Sequence, residues 1–403
     1  MIAEILIATM IGICSGIVTG LVPGVHINLV SVLLVSASGY LLGIFSPISF
    51  GAFIMAMSIT HTFLDAIPSI FLGAPDSDTI LNVLPGHRML INGKGYDAVK
   101  LTVIGGLLCL IALAILMPLM VLVSPYVYNI VQPYIGWILL LVVFYIIWIE
   151  ESIEKKLLGL FVMIVSGFLG VVIFSIPNLD QPLFAMLSGL FGVSTLLISL
   201  KDNNKIPEQK FDEKMELDKK ETAKAVGASV FSGSLTGIFP ALSSAQAAII
   251  AMQLTGKMKV YGFMILTGGI SMVNCIFSLV TFYTIDKARN GGIVAMQQII
   301  GKIGFNEFVI LMAIVLISGG VATLLALKLT KLFAKMVSKV NYQKLCYCII
   351  FLLIFLTLIF NGLLGLLILF TSTMVGMLPA FFCVKRSLAM GCLLVPVIIY
   401  FIL

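Results

Sequence analysis

An all-α polytopic membrane protein, with about 12–14 hydrophobic segments arranged as two inverted-topology repeats with Pro/Gly-broken hairpins, is what this sequence predicts. Composition is the first observation behind it: 60% of the 403 residues are apolar, 10% are charged and the mean hydropathy is +1.17. Soluble domains carry roughly 45–50% apolar and about 25% charged residues. The second observation is the recurrence of apolar runs near the ~20 residues that span a hydrocarbon core about 30 Å thick. The third is a repeated breaker motif described below.

Apolar runs between polar breaks fall at approximately 2–21, 25–43, 50–72, 98–123, 134–149, 156–176, 183–199, 223–239, 242–255, 260–283, 307–329, 343–360, 362–383 and 387–402. The first run carries Glu4 instead of a basic start and no small-residue cleavage pattern follows it, so it reads as a retained helix. The seven cysteines lie in or beside apolar stretches without zinc or disulfide spacing and read as packing residues. The long hydrophilic stretch at 201–224 carries both charge signs and reads as a solvated linker.

G-x-x-T-G-x-x-P starts at Gly16 and again at Gly233, one constant offset of 217 residues (233 − 16), with Ser15 and Ser232 also matching. This repeat divides the chain into a first transmembrane repeat at 1–200, a cytoplasmic charged linker at 201–222 and a second, inverted transmembrane repeat at 223–403. Orientation follows from the basic residues. With the linker in the cytoplasm, 21 of the 24 Lys and Arg fall inside and Lys287, Arg289 and Lys302 fall outside. That is the bias of the positive-inside rule, and it inserts the two halves oppositely. The net charge of +6 therefore reports topology, and no nucleic-acid partner is expected.

Two groups of residues carry chemistry. The breaks place Thr19, Gly20, Pro23, Gly24, His26 and Asn28 opposite Thr236, Gly237, Pro240, Ser243, Ser244 and Gln246. A break inside hydrocarbon frees backbone polar groups and persists where protein or a wet cavity covers them. Helix N-termini and hydroxyls there suit an anionic substrate. Tight packing with a proline kink is the competing explanation. The second group is His61 and Asp65, four residues apart on one helical face of an apolar segment. An intramembrane carboxylate by default marks an ion or proton path; a structural pair locking two helices is the alternative. No H-E-x-x-H, phosphate-loop or D-D-x-x-D pattern occurs, so an enzyme is not expected and no cofactor beyond a coupling Na⁺ or H⁺.

These residues resemble the large permease subunit, TctA type, of the tripartite tricarboxylate transporters. The family's G-x-x-x-G-x-x-P-G break fits Gly16, Gly20, Pro23 and Gly24, and again Gly233, Gly237 and Pro240. Its loop after the third segment matches at Leu72, Pro75, Gly86, Met89 and Gly93, one residue shorter, and its G-L-F-G-x-S-E is GLFGVST from Gly189. Departures at Gly73, Asp76, His87 and Arg88, the PALSS in place of glycines, and Thr195 in place of Glu mark a divergent, archaeal branch. The resemblance implies a permease in the plasma membrane for a small anionic solute of the carboxylate class, driven as a symporter by a cation gradient. Its partners would be membrane lipid, a small membrane subunit and an extracytoplasmic binding protein. A flippase for a phosphate-bearing lipid carrier is the alternative, and a channel-like structural subunit a third.

Overall fold

Backbone amides in hydrocarbon have no water to bond, so each must bond within its own segment, and an apolar chain of this kind resolves into helices. A computed structural model of the protein describes residues 2–22, 27, 30, 35, 38–40, 42–43, 45–72, 80–177, 179, 182–200, 207–211, 215–239, 242, 244–256, 258–337 and 342–402. Among them there is no strand, and seven helices are long and apolar enough to cross a membrane. The protein is an all-α polytopic membrane protein. Outward residues such as Met10, Ile115, Phe144, Phe168, Phe351 and Phe370 are exposed large hydrophobics, as a surface meeting lipid requires.

The helices are α1 (Ile2–Leu21), α2 (Pro47–Leu64), α3 (Ala66–Leu72), α4 (Ile80–Ile91), α5 (Gly95–Val131), α6 (Ile135–Trp148), α7 (Ile153–Phe174), α8 (Pro182–Leu187) and α9 (Ser194–Ser199). After the linker come α10 (Lys219–Ile238), α11 (Ser244–Thr255), α12 (Val260–Ile285), α13 (Gly291–Ile300), α14 (Phe305–Val337), α15 (Tyr342–Phe381) and α16 (Gly391–Ile402). A π-helical turn at Ser188–Val193 joins α8 to α9.

Most of the apolar runs reappear with edges shifted by a few residues. Run 25–43 lies largely outside the described residues. Elsewhere the structure fuses what the sequence separates. Runs 98–123 and 134–149 join through a short 3-10 turn at Gln132–Tyr134, and runs 343–360 and 362–383 form α15, broken at Gly362 with φ 60° and ψ −154°. Two helices arise between the expected runs, α4 between 50–72 and 98–123 and α13 between 260–283 and 307–329. Both are short, and α4 is interrupted by Pro85.

The chain divides into two compact units. One comprises Met1–Tyr128, Ile206–Ile238 and Ser243–Val340; the other Asn129–Lys205, Phe239–Leu242 and Asn341–Leu403. Each takes residues from both halves of the sequence. In the first unit α2 and α12 are almost wholly buried and form its centre. In the second, α7 packs on α16, and Ile146, Val162, Met163, Val384 and Leu388 form a core cluster.

Part of the linker is docked, which corrects its reading as wholly solvated. Gln209 is buried, its Oε1 accepts from Gly95 N at 2.8 Å, and its Nε2 donates to Leu90 O at 3.1 Å. Lys210 N donates to Gly93 O at 2.9 Å, and Phe211 meets the Tyr96 ring edge-on at 5.6 Å. The residue types at 207–211 are those of a linker; only the partner corner at 90–96 distinguishes them.

Candidate functional site

The candidate residues sit on two helix pairs, α1 with α2 and α10 with α12, which cross in the same register. Glu4 Oε1 accepts from Ser46 N at 2.6 Å, and Ser46 is the residue preceding α2. Glu221 Oε1 accepts from Lys259 N at 2.6 Å, and Lys259 precedes α12. Each carboxylate satisfies an orphan amide and sits where the helix dipole favours a negative charge. Further along, a Cβ on Gly16 would lie 2.6 Å from Thr60 Cβ, and one on Gly233 2.6 Å from Val273 Cβ. A Cβ on Gly20 would meet Leu64, and one on Gly237 would meet Phe277. The first helices correspond at an offset of 217 (221 − 4, 233 − 16, 237 − 20), and the second helices at 213 (259 − 46, 273 − 60, 277 − 64).

That register carries over to the polar residues. Thr19 and Thr236, both buried, end their helices with hydroxyls near Gly16 O at 3.3 Å and Gly233 O at 2.6 Å. Thr236 Oγ1 also lies 2.9 Å from Asn274 Oδ1. Position 274 corresponds to His61 at the offset of 213, and the Cβ of a residue at Gly20 would lie 3.1 Å from His61 O. The structure thus brings Gly20 against His61 and Thr236 against Asn274. Ser244 is the first residue of α11 and is buried. Gln246 lies in α11, with its side chain outside the described residues, as are Pro23, Gly24, His26, Asn28, Pro240 and Ser243 altogether.

His61 and Asp65 are both buried, His61 in the last turn of α2 and Asp65 at its joint with α3. Asp65 borders a small cavity lined by the polar side chains of Thr62, Thr102 and Ser271 and by the apolar Phe63, Ala66 and Val103. Helices α5 and α12 close on it because glycines let their backbones meet. A Cβ at Gly268 would collide with Thr102 O, and one at Gly105 with Ile265 O. The register places Ser278 where the first pair has Asp65. Ser278 Oγ accepts from Arg289 N at 3.0 Å and Asn290 N at 2.9 Å, so it holds a loop. Sequence reasoning missed Thr62, Thr102, Ser271, Asn274 and Ser278. Ser and Thr are common in transmembrane helices, and the offset of 217 points four residues past the true partners of α2.

In the second unit, contacts again recur in register. Gly170 meets Cys392 O and Gly376 meets Leu190 O; a Cβ on Gly189 would lie 2.5 Å from Leu369 O, and one on Gly391 2.5 Å from Met163 O. Here the offsets are 206 (376 − 170, 369 − 163) and 202 (392 − 190, 391 − 189). Thr195 Oγ1 accepts from Arg386 Nη1, so the Thr that replaces the expected Glu still faces a cation. Near the loops, Lys302 Nζ pairs with Asp286 Oδ2 at 2.6 Å, which raises the ammonium above its ordinary range. Burial lowers the Arg289 guanidinium, which nonetheless stays charged. No group of three or more His, Cys, Asp or Glu placed to hold a metal occurs among the described residues.

The family model described as "Tripartite tricarboxylate transporter TctA family" matches residues 6–391. A protein of Methanocaldococcus jannaschii described as uncharacterized is 29% identical over 417 aligned positions, covering 98% of this chain and 99% of its own length. No solved structure matches the chain.

Proposed function

Because the chain belongs to the tripartite tricarboxylate transporter TctA family, we propose that it is a permease for an organic anion of the carboxylate class, driven by a cation gradient. Membership makes the protein a membrane transporter subunit and not an enzyme. Members work in tripartite systems, so the expected partners are a small membrane subunit and an extracytoplasmic binding protein.

The observation that carries the reading of the site is the shared register of α1 with α2 and α10 with α12. Two helices that end in Thr-Gly, each followed three residues later by Pro, are gripped by their neighbours in the same way. A pair of such ends, one from each half, suits a solute site of the kind found in transporters with broken helices. In this reading Thr19, Gly20, Pro23, Gly24, His26 and Asn28 serve it from one half. Thr236, Gly237, Pro240, Ser243, Ser244 and Gln246 serve it from the other. At the second break Ser244 opens α11, and a helix N-terminus favours an anion by about 0.3–1 kcal/mol. His61 and Asp65 are the coupling residues, because a carboxylate buried in an apolar helix is too costly to keep without use. The two halves have opposite topology in the plasma membrane, as the distribution of basic residues supports.

Uptake into liposomes of a panel of labelled carboxylates, with and without a sodium or proton gradient, tests the activity. Gradient-dependent accumulation of a carboxylate is expected. Failure across the panel, with a polyprenyl phosphate co-purifying, would move the assignment to the lipid-carrier flippase. Topology has its own test. A single cysteine at 210 in a Cys-free variant is expected to resist an impermeant reagent added outside sealed cells, whereas one at 287 reacts; the opposite pattern ends the inverted arrangement.

A further inference from the structure

The loop between α12 and α13 holds one arginine in place. Asp286 ends α12 in the left-handed region at φ 52°, and its carbonyl accepts from Gln297 Nε2 of α13 at 2.8 Å. Ser278 Oγ accepts from Arg289 N and Asn290 N, and Asn290 Oδ1 accepts from Gly292 N at 3.0 Å, which caps α13. With its own amide and the next one fixed, Arg289 keeps little freedom beyond its side chain. That side chain is half-buried. Its guanidinium bonds to the phenol of Tyr128 on α5, and its Nε is buried without a partner. A guanidinium is donor-only, with five N–H groups, so a single phenol leaves most of them unmet. Among the described residues no carboxylate pairs with it. Asp286, three residues back, is taken by Lys302 at 2.6 Å. A charge withdrawn from water is normally paired, and this one is short of an anion. Tyr128 adds to the same sign, because a phenol that accepts from Arg289 keeps its own O–H as a donor.

Position supplies the second observation. A Cβ on Gly292, in the first turn of α13, would lie 3.1 Å from Ile27 Cγ2, and Ile27 sits between His26 and Asn28. The helix that Arg289 precedes is therefore packed on the first break, with the arginine three residues from the contact. We propose that Arg289, with Tyr128, binds a carboxylate of the solute at the approach to the first break. The planar fork of a guanidinium matches the two oxygens of a carboxylate, where a lysine would offer only a point charge. This rests on the carboxylate-permease reading and adds to it the residue that recognises the charge.

Phenylglyoxal, which adds to guanidinium groups, tests the site in the purified full-length protein in detergent. The chain has three arginines, Arg88, Arg289 and Arg386, and peptide masses follow each separately. Labelling is run with citrate, succinate or acetate, and with chloride at equal ionic strength. At least one carboxylate is expected to slow modification of Arg289 about fivefold or more at saturation, while Arg88 and Arg386 react as before. Tyr128→Phe should raise the half-protecting concentration about threefold to tenfold, the loss of one hydrogen bond. Lys287→Gln, exposed in the same loop, should leave it unchanged. Absence of protection by all three carboxylates overturns the site. So does equal protection by chloride, an unchanged concentration in Tyr128→Phe, or as large a shift in Lys287→Gln. The wild-type pattern decides the matter even if Tyr128→Phe does not fold. The permease reading fails separately. Protection by a carboxylate with no uptake of any leaves the site standing, whereas uptake whose half-saturating concentration is unchanged in Arg289→Lys removes the site and leaves the permease.

Discussion

The α1–α2 pair and the α10–α12 pair share a scaffold and differ in chemistry. Both begin with a glutamate capping the partner helix, Glu4 on Ser46 N and Glu221 on Lys259 N, and both close on glycines at the same heights. Where the first pair carries His61 and Asp65, the second carries Asn274 and Ser278, which cannot hold a charge at neutral pH. Packing constrains backbone spacing in both halves alike. A charge buried in the membrane is costly, and the second pair does without one at this height.

The strongest way to break the shared scaffold is to fill its crossings. At Gly16 the Thr60 side chain and Met57 O, and at Gly233 the Val273 side chain and Ile270 O, stand where new side-chain atoms would go. Backbone cannot swing aside as a flexible side chain can. Gly16→Leu and Gly233→Leu are each expected to cost about 3 kcal/mol or more, through overpacking, and to lower the yield of monodisperse protein sharply in size-exclusion runs. Gly227→Leu, at a position with open space around it, should leave the elution profile and melting temperature unchanged. Equal damage from all three would mean that the crossings are not what the glycines serve.

A second intervention separates the two chemistries. Ser278→Ala leaves the amides of Arg289 and Asn290 without their acceptor, and a buried polar group so orphaned costs about 1–3 kcal/mol. A lower melting temperature with gradient coupling intact is expected. Asp65→Ser, which makes the first pair resemble the second, should do the reverse and lose driven uptake. A loss of coupling in Ser278→Ala would show that both pairs serve the ion.

Much of the scaffold was legible because its signals are local. Apolar runs announce helices, and Gly, Thr and Pro in a fixed pattern announce the ends of α1 and α10. The partner helices were not legible, because the second copy is four residues shorter between its two helices (217 − 213). The shortening falls between the helices and not within either, so each crossing keeps its facing side chains while a single-offset comparison is defeated. Short α4 and α13 escaped for a different reason. Neither is long enough to register as a span, and their ends depend on glycines at 93 and 301, both with positive φ. As for the site, His61 and Asp65 stood out as ionisable groups in apolar sequence. Thr62, Thr102 and Ser271 did not, since a hydroxyl bonded to its own helix has the same sequence signature whether or not it lines a cavity.

The smallest expected effect concerns the two glycine corners, which differ in what covers them. Gly93, with φ 76°, and Gly301, with φ 78°, turn the chain into α5 and α14. At the first corner the linker lies across the turn, with Glu208 O 3.2 Å from where a Gly93 Cβ would stand and Gln209 bonded to Gly95 N. The second corner has open space around Gly301 and is tied by Glu307 Oε2 to Gly304 N at 3.0 Å and by the Lys302–Asp286 pair. Gln209→Ala removes the acceptor of a buried amide, so about 1–2 kcal/mol of local stability should go, enough to speed protease cleavage within 201–218 roughly tenfold. Lys302→Met, which breaks an ion pair open to water, should leave cleavage at 286–304 unchanged, because exposed pairs gain little over their hydrated partners. If the linker is cut no faster in Gln209→Ala than in the wild type, its contact with the first corner is incidental, and the two corners are alike in strength as well as in shape.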